Sequence, residues 1–237
     1  MTISDRVRSN LEAVRGRVNE ACRRAGRDPS EVCIVGVTKY VSPELAAILL
    51  EAGCVDLAES RPQSLWAKAE ALAQAVPSPR WHLVGHLQRN KVRRTLPLVA
   101  LLHSLDSLRL LETIAAEALA GGIVARVLVE VNLTGDPGRT GVAEGEVAAL
   151  VMAAAGHHSV SVCGLMGMAA VPEGPDPAGV ARSQFGRLRN LRDKLVGELP
   201  AAAGLRELSM GMSEDFEEAI LEGATLVRIG SALWEGT

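Results

Sequence analysis

The sequence of 237 residues contains few cysteines, and these few are far apart. Cys22, Cys33, Cys54 and Cys163 form no Cys-x-x-Cys pair, which excludes a zinc site of the usual spacing and a dense disulfide framework. Free cysteines of this kind are typical of a reducing compartment, so we expect a cytoplasmic protein.

Long apolar runs and an excess of one charge are also missing. No stretch reaches about 18 consecutive apolar residues, and no apolar segment precedes a cleavage-like site at the N-terminus, so neither membrane spanning nor secretion is indicated. The 25 basic and 28 acidic side chains leave a formal net charge of −3. Because this charge provides no general positive field, we expect neither a nucleic acid nor a membrane as a partner.

The chain has no linker, repeat or low-complexity tract that would divide it, so we expect a single domain over 1–237. Apolar residues make up 48% and charged residues 22%, which is ordinary for a globular protein and excludes a disordered chain. The loosest stretch, 171–177, is rich in proline and predicts a loop before a helix.

Short apolar runs alternate with helical patterns along the chain. The runs predict eight strands, namely Val32–Val37, Val55–Ala58, Trp81–Gly85, Val99–His103, Arg126–Asn132, Val160–Met166, Glu207–Met210 and Thr225–Ile229. The helical patterns are Ser4–Ala25, Pro43–Ala52, Pro62–Ala75, Ser107–Ala120, Glu144–Ala155, Ala178–Leu199 and Glu214–Leu221. Strands that alternate with helices and are buried on both faces predict a parallel sheet, and eight units close into a TIM-type (β/α)8 barrel. A doubly wound sheet would need fewer strands.

The first helical pattern, Ser4–Ala25, lies before the barrel units and is therefore an extra N-terminal helix. Its apolar residues recur every three or four positions and form one stripe, made of Val7, Leu11, Val14, Val18 and Cys22. We expect this stripe to pack on the barrel and the helix to act as a lid.

Lys39 follows the first predicted strand, where barrel enzymes carry their reacting groups. Alternation along the strand puts Cys33, Val35, Val37 and Lys39 on one face, at the rim of an apolar interior. Desolvation there would favour the neutral amine that condenses with an aldehyde. Alternatively, the side chain extends from the strand end into solvent.

The ends of the seventh and eighth strands predict an anion site. Arg228 shares a face with Leu226 and Gly230 and needs a partner there, and the loops after these strands form the recurrent phosphate site of such barrels. The candidate ligands of a phosphate are Ser209, Ser213, Gly230 and Ser231. Ser213 could instead be a plain N-cap of the next helix. The four carboxylates of the first turn would weaken the site unless they point away, and these are Glu214, Asp215, Glu217 and Glu218.

The other strand ends carry weaker candidates. His86 and His103 are more typical of hydrogen-bonded structural histidines than of catalysts, and Asn132 follows the fifth strand. Met166 and Met168 after the sixth strand are typical wall residues. The basic run 89–94 could bind phosphate or RNA, although a solvated helix face is the simpler interpretation.

Seven blocks of sequence together resemble the pyridoxal-phosphate homeostasis proteins, whose barrel is similar to that of alanine racemase. The blocks occur in order over nearly the whole chain, and they are Gly36–Lys39, Glu59–Gln63, Trp81–Lys91, His103–Asp106, Gly164–Met168, Ser209–Phe216 and Val227–Ser231. The Trp-His…Gly-His-Leu-Gln and Ser-Met-Gly-Met-Ser blocks are highly specific to this family.

The resemblance implies that Lys39 holds pyridoxal 5′-phosphate (PLP) as a Schiff base. It further implies that Arg228 faces the pyridine nitrogen, and that the phosphate is bound by Ser209, Ser213, Gly230 and Ser231. Ser60 and Met166 would also lie beside the cofactor. One departure is that the family usually has Gly-Glu-Asn after the second strand, where this chain has Ala58-Glu59-Ser60, so the shorter serine would need a water to replace the asparagine.

Two classes of function compete for this site, a carrier of PLP and a PLP-dependent amino-acid racemase. Racemisation requires groups on both faces of the cofactor, and Lys39 serves only one. The related racemases take a tyrosine from an additional β domain, and this chain stops six residues after Ser231. The only tyrosine, Tyr40, would point away from Lys39 if the strand persists, and a charged Arg228 would weaken the ring as an electron sink.

We therefore expect a non-enzymatic carrier or buffer of PLP, present as a monomer or weak dimer, that supplies PLP-dependent apoenzymes. A lysine-dependent aldolase without cofactor would keep Lys39 and leave the phosphate site to a sugar phosphate. The family resemblance argues against that third class.

Overall fold

The computed structural model describes residues 2–170 and 175–237, so the first four residues of the predicted loop 171–177 lie outside the described residues. The described chain forms a closed barrel of eight parallel strands surrounded by helices, which confirms the predicted fold class. The strands are β1 Cys33–Val37, β2 Asp56–Glu59, β3 Arg80–Leu83, β4 Val99–Leu105, β5 Ala125–Val131, β6 Val160–Gly167, β7 Glu207–Met212 and β8 Leu226–Ile229. The helices are α1 Ile3–Ala25, α2 Pro43–Glu51, α3 Pro62–Ala71, α4 Val92–Thr95, α5 Leu108–Ala120, α6 Val147–Ala155, α7 Pro177–Glu198 and α8 Phe216–Leu221.

The strands pair in chain order, and β1 closes the barrel against β8. Val35 lies opposite Arg228 in this last pair, and β7 pairs with β8 on the other side. Since all strands are parallel, their carboxyl ends share one rim, which brings the segments after β1, β7 and β8 side by side.

Most predicted boundaries differ from the structure by one or two residues. Two differences are larger: α3 ends four residues before its predicted end, and α6 begins at Val147, three residues after the predicted Glu144. The basic run between β3 and β4 forms a 3₁₀ turn and the short helix α4, which was predicted only as a solvated helix face. Helix ends are set by capping groups as much as by apolar spacing, which explains the shifts.

The N-terminal helix α1 packs as its stripe predicts but does not act as a lid. In the described residues, β8 is followed by the 3₁₀ turn Ser231–Leu233. α1 packs against α8, α2 and this turn, and so lies in the outer ring between α8 and α2. The predicted stripe Val7, Leu11, Val14, Val18 and Cys22 is buried there. The expectation of a lid is therefore wrong, because the apolar face of α1 is buried against the neighbouring helices α8 and α2.

Apolar residues form two buried clusters. The large one lies between the strands and the surrounding helices, and the small one fills the barrel with residues such as Val35, Leu101, Leu128 and Met166. Buried polar side chains share the barrel interior with the small cluster, among them His82, His103, Ser209 and Arg228. Within the described residues, no helix is both long enough and apolar enough to cross a membrane.

Candidate functional site

Lys39 lies at the carboxyl rim, two residues after the end of β1. Val35 and Val37 point into the barrel, as the alternation predicts, but the strand ends at Val37 and the chain turns, with the amide of Val41 donating to the carbonyl of Thr38. Lys39 is exposed, so the expected desolvation of its amine is not found in this structure. The strand does not persist to Tyr40, so the condition for Tyr40 to point away from Lys39 is not met, and Nζ of Lys39 lies 4.8 Å from the ring centroid of Tyr40.

A buried ion pair supports the segment that carries Lys39. Nζ of Lys68 on α3 donates to the carbonyl of Thr38 at 2.6 Å and to Oε1 of Glu59, and the hydroxyl of Thr38 donates to the same oxygen at 2.6 Å. Glu59 is fully buried, and its Oε2 has no hydrogen-bond partner among the described residues. These bonds tie the end of β1 to the end of β2, directly before the lysine.

The C-terminal segment is anchored to the same strand end. Nε1 of Trp234 donates to the carbonyl of Val37 at 2.9 Å. This bond holds the 3₁₀ turn after β8, including the exposed Ser231, beside the rim of β1. The sequence analysis missed Trp234, because a tryptophan near a chain end carries no signal for the distant carbonyl it binds.

Two backbone amides converge on one oxygen at this rim. Oγ of Ser213 accepts hydrogen bonds from the amide of Gly230 at 3.1 Å and from the amide of Ala232 at 3.3 Å. Ser213 is not an N-cap, since α8 begins at Phe216 and its N-cap is Asp215. Converging amides of this kind form a site for an anion, and the serine hydroxyl takes the place that an anionic oxygen would occupy.

The acidic residues before and in α8 have partners of their own. Oε1 of Glu217 forms an ion pair with Arg17 on α1 at 3.0 Å, and Oδ1 of Asp215 accepts from the amide of Met212 at 2.6 Å. Burial raises the pKa of Asp215, which disfavours its negative charge. Asp215 and Glu217 are two of the four carboxylates that would weaken an anion site, and both are engaged in these contacts.

Arg228 lies inside the barrel, on the face that the sequence predicts. Its NH1 donates to Oγ of Ser209 at 2.6 Å, and its NH2 donates to the carbonyl of Gly167 at 3.1 Å. Burial lowers the pKa of Arg228 to about 10. Ser209 is fully buried and also contacts Nδ1 of His103 at 2.9 Å. The structure thus engages the hydroxyl of Ser209 in the interior, whereas the sequence analysis grouped it with Ser213 at the rim.

His82 and Asp56 are buried polar residues that were not among the candidates from the sequence. His82 joins His103 to Asp56, with 2.9 Å between His82 Nδ1 and His103 Nε2 and 3.0 Å between His82 Nε2 and Asp56 Oδ1. Alternation in β3 could have placed His82 inside, because the apolar Trp81 and Leu83 on either side face the helices.

Glu130 on β5 is a further buried acid near Arg228. Its Oε1 accepts from the hydroxyl of Thr140, and burial raises its pKa. It had no sequence signal beyond its position in an apolar strand.

The remaining candidates differ in burial. Met166 is fully buried in the interior wall and Met168 packs against it. His86 is exposed and its Nδ1 lies 3.0 Å from Oδ2 of Asp106. Ser60 is half-buried, and a Cβ on Gly85 would lie 2.2 Å from the carbonyl oxygen of Ser60, so only glycine allows this approach of β2 and β3.

The basic run and Asn132 have structural contacts. The guanidinium of Arg94 stacks over the ring of Trp66, 4.3 Å from its centroid. Oδ1 of Asn132 accepts from the amides of Thr134 and Gly135 and stabilises a turn. In the part of the chain that the structure describes, no three His, Cys, Asp or Glu side chains are grouped to hold a metal ion.

The fold and the rim residues define a (β/α)8 barrel with a lysine, two converging backbone amides and a buried arginine at neighbouring strands. The sequence model of the family "Alanine racemase, N-terminal domain" matches residues 9–237. A protein of Aquifex aeolicus called "Pyridoxal phosphate homeostasis protein" is 39% identical over 224 residues, covering 94% of this chain and 95% of the relative. This chain belongs to the alanine racemase N-terminal domain family and, within it, to the pyridoxal phosphate homeostasis proteins.

Two solved structures are similar over almost the whole chain. A protein of unknown function from Bifidobacterium adolescentis is 32% identical with a TM-score of 0.91, covering 98% of this chain and 95% of that one. PipY of Synechococcus elongatus, solved with PLP bound, is 27% identical with a TM-score of 0.82, covering 96% of this chain and 99% of that one.

Proposed function

We propose that this protein binds PLP at the carboxyl rim of its barrel and acts in PLP homeostasis, holding and releasing the cofactor without substantial turnover of amino acids. The names of the curated relatives and the PLP bound to PipY support this proposal. When bound, PLP would supply an aldehyde that condenses with a primary amine with loss of water, and a second amine could then displace the first.

The observation that carries the proposal is the pair of amides converging on Ser213. The amides of Gly230 and Ala232 would donate to a phosphate oxygen, with the hydroxyls of Ser213 and Ser231 as further donors. Lys39 follows β1, the direct neighbour of β8, so an amine and an anion site lie at the same part of the rim. This combination fits a phosphorylated aldehyde.

Arg228 lies below this rim and fits the pyridine nitrogen of PLP. Its NH1 and NH2 are held by Ser209 and by the carbonyl of Gly167, which fixes the plane of the guanidinium. A guanidinium that keeps its charge disfavours protonation of the ring nitrogen and so makes carbanion chemistry slow.

A carrier is favoured over a racemase by the position of Tyr40. Racemisation requires an acid and a base on opposite faces of the cofactor. Nζ of Lys39 lies over the ring of Tyr40, so the two side chains are in contact with each other and do not face each other across a space that the cofactor could fill. We infer that Tyr40 does not supply the second group.

The test of cofactor binding is the absorption spectrum of the purified protein with PLP. We expect a visible band that borohydride removes while fixing the cofactor to Lys39, as peptide mass analysis would show. Lys39→Ala should lose both the band and the modified peptide, whereas the control Lys194→Ala on the exposed face of α7 should keep them. An unchanged band in Lys39→Ala would refute the assignment.

The test of the anion site compares PLP with pyridoxal. Hydrogen bonds to a charged group contribute about 1.5–3 kcal/mol each, so pyridoxal should bind at least tenfold more weakly. A sugar phosphate that competes as well as PLP, with no visible band, would favour a cofactor-free aldolase instead.

The test of the carrier role is transfer to an apoenzyme. The loaded protein should reactivate a PLP-dependent apoenzyme, because an amine of the acceptor can displace Lys39. It should not exchange the α-hydrogen of alanine for solvent deuterium at an enzyme-like rate. Rapid deuterium exchange would restore the racemase interpretation, and failure to reactivate any apoenzyme would reduce the role to a buffer or sensor of PLP.

A further inference from the structure

A continuous chain of buried hydrogen bonds crosses the barrel interior. It runs from Arg228 to Ser209, His103, His82 and Asp56, with 2.6, 2.9, 2.9 and 3.0 Å between successive donor and acceptor atoms. The chain starts on β8 and ends at the first residue of β2, which lies at the opposite end of the barrel from Lys39.

The two ends of this chain determine its direction. Arg228 can only donate, and the carboxylate of Asp56 can only accept. If Ser209 accepts from Arg228 and donates to Nδ1 of His103, then His103 donates from Nε2 to Nδ1 of His82, and His82 donates from Nε2 to Asp56. Each histidine then carries one proton, on Nε2, and every donor has an acceptor.

The reverse direction leaves the hydroxyl of Ser209 without an acceptor and, with one proton on His82, sets Nε2 of His82 against Oδ1 of Asp56 with no proton between them. If Nδ1 of His103 carried the proton, Oγ of Ser209 would accept from both His103 and Arg228. The described residues offer the hydroxyl hydrogen of Ser209 no other acceptor. An unpaired donor in a fully buried position is unfavourable, so the first direction is the stable one.

We propose that Asp56, His82 and His103 are positioning residues that set the direction of this chain, so that Oγ of Ser209 accepts from Arg228 alone and fixes its guanidinium for the ring of PLP. The inference rests on the proposed function, because the contact between Arg228 and the ring is part of it. A carboxylate at one end of the barrel therefore influences the affinity of the site at the other end.

The burial of His103 and the charged groups around it favour its neutral form. His103 is packed against His82 and Arg228, and its burial, with these neighbours, lowers its pKa well below the usual range. Around Arg228 lie Glu130 of β5 and Asp215 before α8.

Asp56 is held as a carboxylate at the far end. Burial raises its pKa, but the hydrogen bonds of His82 and Arg80 outweigh burial and lower the pKa to about 2. Cys33 of β1 also faces Asp56, and burial and this neighbour raise the pKa of its thiol. Asp56 and Cys33 both line a cavity of about 250 Å³ beneath α1.

The experiment begins with histidine tautomers in the protein without ligand. Ring nitrogen chemical shifts of ¹⁵N-histidine-labelled protein, assigned with His82→Gln and His103→Gln, should show both histidines protonated on Nε2 only. Asp56→Leu removes the acceptor and should move proton density to Nδ1 of His103, whereas Asp56→Asn retains an acceptor and should restore the parent tautomers. A proton on Nδ1 of His103 in the parent would overturn the proposal.

The second arm measures affinity for PLP. Asp56→Leu should weaken binding about tenfold, because Oγ of Ser209 then also accepts from His103 and its hydrogen bond with the charged Arg228 is weakened, while Asp56→Asn should remain within about twofold of the parent. Leu101→Ala creates a packing defect on the strand of His103 without breaking the chain, and it should leave affinity unchanged. Equal losses in Asp56→Leu and Leu101→Ala would overturn the proposal, because they would show only general destabilisation.

An analogue of PLP with carbon in place of the ring nitrogen separates this inference from the proposed function. It should bind the parent and Asp56→Leu equally, since it makes no nitrogen contact with Arg228. A tenfold loss with the analogue as well would refute a route through the ring. If the parent protein binds neither PLP nor the analogue, the proposed function fails. The tautomers of His82 and His103 then decide by themselves whether the hydrogen-bond chain has the proposed direction.

Discussion

The substitution Lys68→Met tests the buried ion pair beneath Lys39. Lys68 and Glu59 are nearly or fully buried, and Oε2 of Glu59 already lacks a partner among the described residues. Removal of the ammonium would leave the Glu59 carboxylate with only the hydroxyl of Thr38 as a donor. Breaking a buried pair in this way costs about 3–5 kcal/mol.

This cost is a large fraction of the free energy of unfolding of a typical domain, which is about 5–15 kcal/mol. For a chain of this length, 1 kcal/mol shifts the Tm by about 2–4 °C, so Lys68→Met should lower the Tm by roughly 6–20 °C. Urea unfolding followed by circular dichroism would measure the free energy directly.

Two further variants make the test decisive. The double variant Lys68→Met/Glu59→Gln removes both charges of the pair, so it should be more stable than Lys68→Met alone by about 2 kcal/mol. Lys194→Met, on the exposed face of α7, should change stability by no more than about 0.5 kcal/mol. A cost below about 1 kcal/mol for Lys68→Met would refute the reasoning, because that is the range of exposed ion pairs.

Four other substitutions follow from the structure. Gly211 has a φ of +89°, and a Cβ there would lie 2.6 Å from the Cβ of Ala219, so Gly211→Ala should destabilise the protein by about 2 kcal/mol or more. In the same urea assay, Gly16→Ala in the exposed middle of α1 should stabilise the protein by about 0.5–1 kcal/mol. Burial holds the pKa of His103 below the value of the unfolded chain, so the unfolded state binds more protons below pH of about 6.5, and stability should fall as the pH is lowered. His103→Asn should reduce this slope between about pH 6.5 and 5, and an identical slope would contradict the buried neutral histidine. Trp234→Phe removes the donor to the carbonyl of Val37 and should weaken PLP binding several-fold with a loss of about 1 kcal/mol in stability, whereas unchanged binding would show that this anchor does not position the rim.

The sequence by itself determined the barrel and the strand faces. Eight apolar runs alternating with helical patterns predict a closed parallel sheet, and the period of two along each strand places Val35 and Arg228 on the inner face, as found. The position of Lys39 just after β1 follows from the same pattern. These features depend on local spacing alone, which is why a single sequence contains them.

Only the tertiary structure decided which side chains meet. Ser213 binds the amide of Gly230 on the next strand, and Ser209 meets His103 from across the barrel, 106 positions away in sequence. Such contacts depend on strand register and barrel closure, which the spacing of apolar residues along the sequence does not determine. The same holds for α1, whose stripe predicts burial but not its partner. Its place in the outer ring, against α8, α2 and the 3₁₀ turn after β8, exists only once the barrel has closed.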